Sequence, residues 1–414
     1  MKAKIWVAEI HFRALVLVAL VMLAVASQAE PSWTFDQVLQ SALASHPALQ
    51  GKRSAQAAAR AEQDGAEWQR YPALSVESAQ TSNGNYGLVR IEQPLWTGGR
   101  ITAGINAAGS RLNAASAALE EEKLNLTLRV IAAYTEALRQ QARQQHATSG
   151  VAEHEKLLGM IRRRVEREVS SLTDQRLAES RMYQAVNDQS AANQALNNSL
   201  AQLTQLAGKP VVEVFALEMS ELATPVGLHA VLSQALFYSP VLRRITYDEE
   251  AANADIAYRR SVYMPQLVLR LEKNIGPMND SRAMVVLLAQ PGAGLSAMSG
   301  VDAAIAKREA VQMAREAAER DARERITLDW NEWTAARLRL ENAGQSRTMS
   351  AEVFESYTRQ YVIGRKTWVD VLNSVREATQ SQFALEDVRA QTIAASLRLS
   401  AQSGTLKQLE RSRP

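Results

Sequence analysis

The chain has 414 residues, no cysteine, 11 prolines, 19 glycines and only 6% aromatic residues, with a formal charge of +3. A chain this close to neutral gives no electrostatic case for nucleic acid. The lack of cysteine excludes disulfides, thiolate metal sites and cysteine nucleophiles. Ala, Gln, Glu, Arg and Leu fill its long segments, the composition of a protein built mainly of helices.

At the start, Lys2, Lys4 and Arg13 flank an apolar stretch over 14–25, followed by the small-residue site Ser27-Gln28-Ala29. This pattern predicts a signal peptide over 1–29 and a mature chain from Glu30 with no cysteine to carry lipid. The apolar stretch, about 12 residues, is too short to cross a bilayer, and no later run reaches the roughly 18 that a membrane helix needs. Thr34 caps a short helix from Phe35 to about 45, and Pro47 starts another that stops near 68, before Tyr71-Pro72. The period then changes from helical to alternating. Leu74, Val76 and Ser78 alternate with Ser75, Glu77 and Ala79, and after a turn-rich stretch over 81–85 a second strand runs over 86–93, with Val89 and Ile91 on one face. This predicts a hairpin over about 72–93 whose strands are long enough to cross a membrane at a tilt. Pro94 is expected to close the strand. Over 101–167 there is no proline and little glycine. One helix of about 65 residues and about 100 Å is predicted there. Its Arg, Glu and Gln content excludes a membrane span and points to a coiled coil or repeat. A break at 168–173 forms a hairpin tip, a return helix runs over 174–206, and 207–210 ends the unit.

After a linker over 211–227 the chain repeats itself over 228–404, leaving a tail at 405–414. Ala42-Leu43-Ala44-Ser45-His46-Pro47 is echoed by Ala235-Leu236-Phe237-Tyr238-Ser239-Pro240, Tyr134-Thr135-Glu136 by Trp330-Asn331-Glu332, and Leu172-Thr173-Asp174 by Trp368-Val369-Asp370, at offsets of about 193 to 197 residues. The second unit is predicted to hold helices over 228–238 and 240–263, strands within about 266–290, a long helix over 300–361, a tip at 362–367 and a return helix over 368–403. In its first strand Leu267, Leu269 and Leu271 alternate with Val268, Arg270 and Glu272. Lipid outside and water inside would demand that pattern.

The predicted fold class is mainly α with a small membrane β part: two tandem repeats, long coiled-coil hairpins, and four strands per chain. Four strands cannot close a barrel, and open sheet edges are not tolerated in lipid. Three chains give 12 strands, an even number within the bacterial range, so a homotrimer in contact with outer-membrane lipid is expected.

These features resemble the TolC-like outer membrane efflux protein family over about 35–404. The most specific parts are Gln93-Pro94-Leu95-Trp96-Thr97-Gly98-Gly99-Arg100 and Tyr361-Val362-Ile363-Gly364-Arg365-Lys366-Thr367-Trp368-Val369-Asp370-Val371-Leu372. The resemblance implies a trimeric outer-membrane duct whose helical tube stands in the periplasm. Such a duct joins a periplasmic adaptor and an inner-membrane ABC or RND-type transporter, and exports secreted protein (type I secretion) or drugs. It also implies a periplasmic gate in which Tyr361 pairs with Asp174 and Lys366 with Thr173, and a narrowing ring at Asp370 that favours cations. Asp174 equally suits a helix N-terminal cap. Asn373 stands one turn past Asp370, where the family often has a second acid, so a less negative ring is expected. Glu168, Val169, Ile363, Gly364 and Arg365 are the expected adaptor-docking tips. Glu168 occupies the place of Gly364, so the first tip is expected to be shaped differently.

The run Arg162-Arg163-Arg164 reads better as a solvated helix face than as an adaptor patch. Trp96 is expected at a barrel-to-helix junction, and Trp330 and Trp333 as packing residues. His46, His146, His154 and His229 lack metal-ligand spacing, and no nucleophile, phosphate loop or carboxylate pair appears. No catalysis, cofactor or metal is therefore expected. The rival reading is a periplasmic coiled-coil adaptor or scaffold, which would show one hairpin flanked by β-rich domains rather than a tandem repeat.

Overall fold

The computed structural model describes residues 32–81, 84–217, 225, 227–276, 279–289 and 296–406. The expected signal peptide, the end of the linker, Pro277-Met278, Gln290-Pro291 and most of the tail lie outside the described residues. The elements in chain order are α1 (Phe35–Ser45), α2 (Pro47–Trp68), β1 (Ala73–Thr81), β2 (Gly84–Trp96), α3 (Arg100–Glu166), α4 (Leu172–Ala207), α5 (Leu228–Tyr238), α6 (Pro240–Ser261), β3 (Gln266–Ile275), β4 (Ser281–Leu288), α7 (Ser296–Val362) and α8 (Trp368–Gln402).

Local sequence explains the boundaries. Thr34 and Gln37 form a reciprocal capping box at the start of α1. His46-Pro47 and Ser239-Pro240 start α2 and α6 alike: the side chain before proline accepts a helix N–H, and proline fills the first turn, where its missing N–H costs nothing. The helices α3 and α7 each run 67 residues, about 100 Å at 1.5 Å per residue.

β1 to β4 form one antiparallel sheet in sequence order, so the hairpin of the first repeat joins that of the second through β2 and β3. The helices repeat this order. α2 leads into β1, β2 into α3, α6 into β3 and β4 into α7, while α2 packs on α3, α3 on α6 and α6 on α7. Farther from the sheet the sequence of neighbours is α4, α3, α8, α7. The chain is thus a long slab with two free sides, one ending in α2 and β1, the other in β4 and α7.

The main core lies where α1 crosses the slab. Phe35, Val38, Leu126, Val130, Ile131, Tyr134, Leu203 and Leu397 are all but fully buried there. The Tyr134 hydroxyl lies 2.8 Å from the Phe215 carbonyl oxygen and 3.0 Å from that of Trp33, which ties the start of the linker to the first residues described. Trp333, buried against Trp330, Val231 and Leu399, anchors the second repeat, as expected for packing aromatics.

One boundary departs from expectation. β2 continues through Pro94 to Trp96, and the register shifts between Pro94 and Trp96. Proline has no N–H for the ladder, and a bulge is where a sheet accommodates it.

Candidate functional site: a two-faced sheet and two hairpin tips

Residues directly opposite in an antiparallel sheet share a face. One face carries Leu74, Val76, Val89, Ile91, Leu269, Leu271, Val285 and Leu287, and Leu74, Val76 and Leu287 are 66–69% exposed. After the bulge Trp96 joins this face opposite Leu267, half exposed at the end nearest the helices. The other face carries Glu77, Arg90, Glu92, Arg270, Glu272 and Arg282. Arg90 donates to Glu272 at 2.8 Å and lies 3.7 Å from Glu77, while Arg270 donates to Glu92 at 2.7 Å. Charge-paired guanidiniums and carboxylates can line water, and the opposite apolar face can meet lipid. No described helix is long and apolar enough to cross a membrane.

At the far end of the slab are two tips, the turn between α3 and α4 and the turn between α7 and α8. Their backbones agree bond for bond. Glu168 N–H donates to Val165 O and Val169 N–H to Arg164 O; Gly364 N–H donates to Tyr361 O and Arg365 N–H to Gln360 O, all at 2.9–3.0 Å. Glu168 (φ 57°) and Gly364 (φ 77°) both hold the left-handed conformation that ends a helix this way. The expected difference between the tips is therefore absent: Glu168 takes up the conformation that glycine adopts freely.

Each return helix then opens with a capping box. The Asp174 carboxylate accepts from Ser171 N–H and hydroxyl, and the Asp370 carboxylate from Thr367 N–H (3.0 Å) and hydroxyl (2.8 Å). The Thr367 amide, then its hydroxyl and the Lys366 charge hold Asp370 below the usual carboxylate range.

The tips touch one another, through contacts other than those expected. The Tyr361 hydroxyl lies 3.1 Å from Ser170 Oγ, with the Arg164 guanidinium 4.8 Å from its ring centre. Trp368 Nε1 donates to the Asp174 carbonyl oxygen at 3.1 Å and stacks at a tilt on Tyr361. The Lys366 ammonium sits 4.1 Å from the centre of the Tyr357 ring. Within one chain, then, Tyr361 meets Ser170 where Asp174 was expected, while the Asp174 carboxylate is engaged in its own capping box. Lys366 likewise covers an aromatic ring of its own hairpin, and Thr173 is exposed. Asn373 is exposed on α8 one turn beyond Asp370.

The arginine run divides: Arg162 reaches Glu179 at 3.3 Å, Arg163 is exposed, and Arg164 is part of the junction, donating to Ser170 Oγ at 3.2 Å. Ser170, Arg164 and Trp368 are the junction residues that the sequence reading missed. Ser170 aligns with Lys366 across the repeat, so its different type at a matched position was the available signal. At the apices Val169, Leu172, Val362 and Ile363 are exposed at 56–65%, beside exposed Glu168, Gly364 and Arg365.

Residues 38–209 match the protein family described as "Outer membrane efflux protein". No curated protein matches the chain. Among solved structures, a membrane protein from Pseudomonas aeruginosa matches with TM-score 0.80 at 16% identity, over 89% of this chain and 92% of that one. The outer membrane protein VceC from Vibrio cholerae matches with TM-score 0.78 at 16% identity, over 89% and 96%. The open-state outer membrane channel MtrE of Neisseria gonorrhoeae matches with TM-score 0.76 at 17% identity, over 90% and 89%. The first repeat of this chain is thus similar to the outer membrane efflux protein family, and along nine-tenths of its length the chain shares the fold of these solved membrane proteins.

Proposed function

We propose that three copies of this chain close into one outer-membrane exit duct, exported to its site by residues 1–29, with a 12-stranded barrel in the lipid and a helical tube in the periplasm. The observation that carries this reading is the slab itself. Its sheet has one mainly apolar face, with Gln93 and Lys273 on it, and one charge-paired face, and its free side at α2 and β1 is matched by the other at β4 and α7. An unpaired strand edge in lipid costs several kcal/mol for each orphan backbone group, so a chain built this way needs a neighbour on both sides. A head-to-tail contact that closes into a ring supplies one.

The periplasmic end is the gate and the docking end. Tyr361, Ser170, Arg164, Trp368 and Asp174 hold the two hairpins together, with Lys366 and Thr173 beside them. Asp370, kept ionised by its cap, contributes a ring of three carboxylates with Asn373 one turn on. The exposed apices at Glu168, Val169, Ile363, Gly364 and Arg365 meet a periplasmic adaptor, which couples the duct to an ABC or RND-type inner-membrane transporter carrying secreted protein or small toxic compounds. The pattern of a tandem repeat without flanking β-rich domains speaks against an adaptor.

The test is the mass and conductance of the purified protein. In detergent micelles a particle of three chains is expected, and planar bilayers should show discrete channels. A stable monomer, or recovery from the periplasm without detergent, overturns the reading.

A further inference from the structure

Resting on the outer-membrane reading above, we propose that the apolar face of the sheet carries a site for one phosphate-bearing lipid of the outer leaflet. The Lys273 ammonium binds its phosphate, and a groove along Val89, Ile91, Leu271, Ser281 and Ala283 takes one of its acyl chains. Three observations carry this assignment.

The first is an unpartnered charge. Lys273 is the one charged residue on the apolar face of the described strands. Gln93, the other long polar side chain between Trp96 and Lys273 on this face, is satisfied within the chain: its amide donates to the Arg70 and Pro94 carbonyl oxygens, each at 2.9 Å. Lys273 is exposed, and its ammonium makes no hydrogen bond or ion pair among the described residues. The carboxylate of its neighbour Glu272 is engaged by Arg90 on the opposite face. A lysine that faces hydrocarbon is tolerated near a membrane boundary, where an anion or water meets it. The chain supplies no anion on this side, so the anion belongs to the membrane.

The second is the level of that charge. Trp96 and Leu267 stand opposite one another at the end of the sheet nearest the helices, the periplasmic side in the reading above. Lys273 lies six residues farther along β3. That is about 20 Å along the strand, or about 15 Å along the membrane normal at a tilt near 40°. The apolar band of such a barrel is about 25 Å tall. The farther boundary is therefore the nearer one to Lys273, and its stem extends that way. Beyond it the same face turns polar or small, with Ser78 opposite Gly87 and then Gln80. The ammonium thus reaches the phosphate layer of the outer leaflet, which in an outer membrane is built of a phosphorylated glycolipid.

The third is the groove beside it. Across the sheet Val89 stands opposite Lys273 and Lys273 opposite Ser281; one row nearer the helices Ile91 stands opposite Leu271 and Leu271 opposite Ala283. Ser281 and Ala283 are short beside these neighbours, and a groove of about 350 Å³ opens over them with Lys273 on its rim. Apart from the Ser281 hydroxyl and the ammonium, the side chains around it offer only methyl and methylene groups, which suit a hydrocarbon chain and give a polar ligand nothing to bond. A phosphate at Lys273 with a chain running inward along Leu271 and Ala283 is the arrangement of an amphiphile whose head points outward. A free phosphate ion would use the ammonium alone and leave the groove idle.

Native mass spectrometry of the detergent-purified protein tests the site, with lipid A carrying its phosphates as the probe and dephosphorylated lipid A as the control. The phosphorylated lipid should bind about fivefold more tightly, the effect of one lysine on one anionic headgroup. Lys273→Gln should remove that difference and Lys273→Arg keep it. Ala283→Leu fills the groove without altering charge and should weaken both lipids alike, with Ala283→Val as the smaller step where the larger one lowers the yield of intact particles. Equal preference for the phosphorylated lipid in the parent protein and in Lys273→Gln overturns the role of the lysine, and binding indifferent to both changes at Ala283 overturns that of the groove. Lipid retained through purification from outer membranes should be the glycolipid; a phospholipid retained in its place, and lost in Lys273→Gln, overturns the assignment to the outer leaflet. Recovery of the parent protein without detergent overturns the outer-membrane reading itself, before any lipid is added.

Discussion

Glu168 holds φ 57° at the first tip, where Gly364 holds 77° at the second. An L-residue in this region costs roughly 1–2 kcal/mol through the clash of Cβ with backbone, and glycine avoids that at a smaller loss of chain entropy. Glu168→Gly is therefore expected to raise stability by up to about 1 kcal/mol, and Gly364→Ala to lower it by about 1 kcal/mol, since nothing but the backbone conformation opposes a side chain there. Thermal melting of the purified protein checks both, and equal shifts of the same sign would refute the comparison. Asp370 differs, because its carboxylate is stabilised by hydrogen bonds to Thr367 rather than by burial. Its folded-state pKa is depressed, so its contribution is present above the ordinary aspartate range and is lost as pH falls through the folded value. It is therefore ionised throughout the neutral range, as the proposed carboxylate ring requires.

The long helices were legible because proline is missing over 101–167 and 300–361, and the strands because apolar and charged residues alternate at Leu267 to Glu272. The passage of β2 through Pro94 was not, since proline reads as a stop unless a bulge absorbs it. Nor was the likeness of the tips, because residue type at 168 pointed away from a conformation that the rest of the turn dictates. The partners that Tyr361 has within one chain were hidden for a different reason. Hydrogen bonds between hairpins depend on how α3, α4, α7 and α8 stagger, and residue spacing within one helix does not report that. Packing among these helices also creates a pH dependence. His154 on α3 is nine-tenths buried, its Nδ1 has no partner among the described residues, and it lines a groove of about 730 Å³ between α4 and α8. Burial, then Arg181, pulls its pKa below the ordinary value, against opposing pulls from Asp188 and Glu153. The folded chain thus binds fewer protons than the unfolded one just below pH 6.5, and stability falls as pH drops through that range. His154→Gln should flatten this decline between about pH 7.5 and about pH 5 in melting experiments; an unchanged slope would assign the decline to other groups.

In the proposed duct, the junction between the hairpins is the element that keeps the periplasmic end shut. In each chain the junction rests on the Tyr361–Ser170 contact, the Trp368 bond to the Asp174 carbonyl, and Arg164 stacked over Tyr361. A net hydrogen bond is worth about 0.5–1.5 kcal/mol, and if the three copies of the proposed trimer open together, removing one bond per chain shifts the balance by roughly 1.5–4.5 kcal/mol. Tyr361→Phe keeps the ring and its packing on Trp368 but deletes the hydroxyl, which separates the loss of the bond from loss of folding. Combined with Lys366→Ser, which frees the Tyr357 ring, it should raise single-channel conductance in planar bilayers and lengthen open events. Ser170→Ala should reproduce most of the Tyr361→Phe effect if the two atoms act as a pair, and a double variant of these two should add little to either. Asp370→Ala should leave the open lifetime nearly as it was and weaken block by trivalent cations, because it removes charge from the ring without touching the junction. Unchanged conductance in Tyr361→Phe/Lys366→Ser would place the closure elsewhere along the tube, and unaltered block in Asp370→Ala would remove the carboxylate ring from the pore.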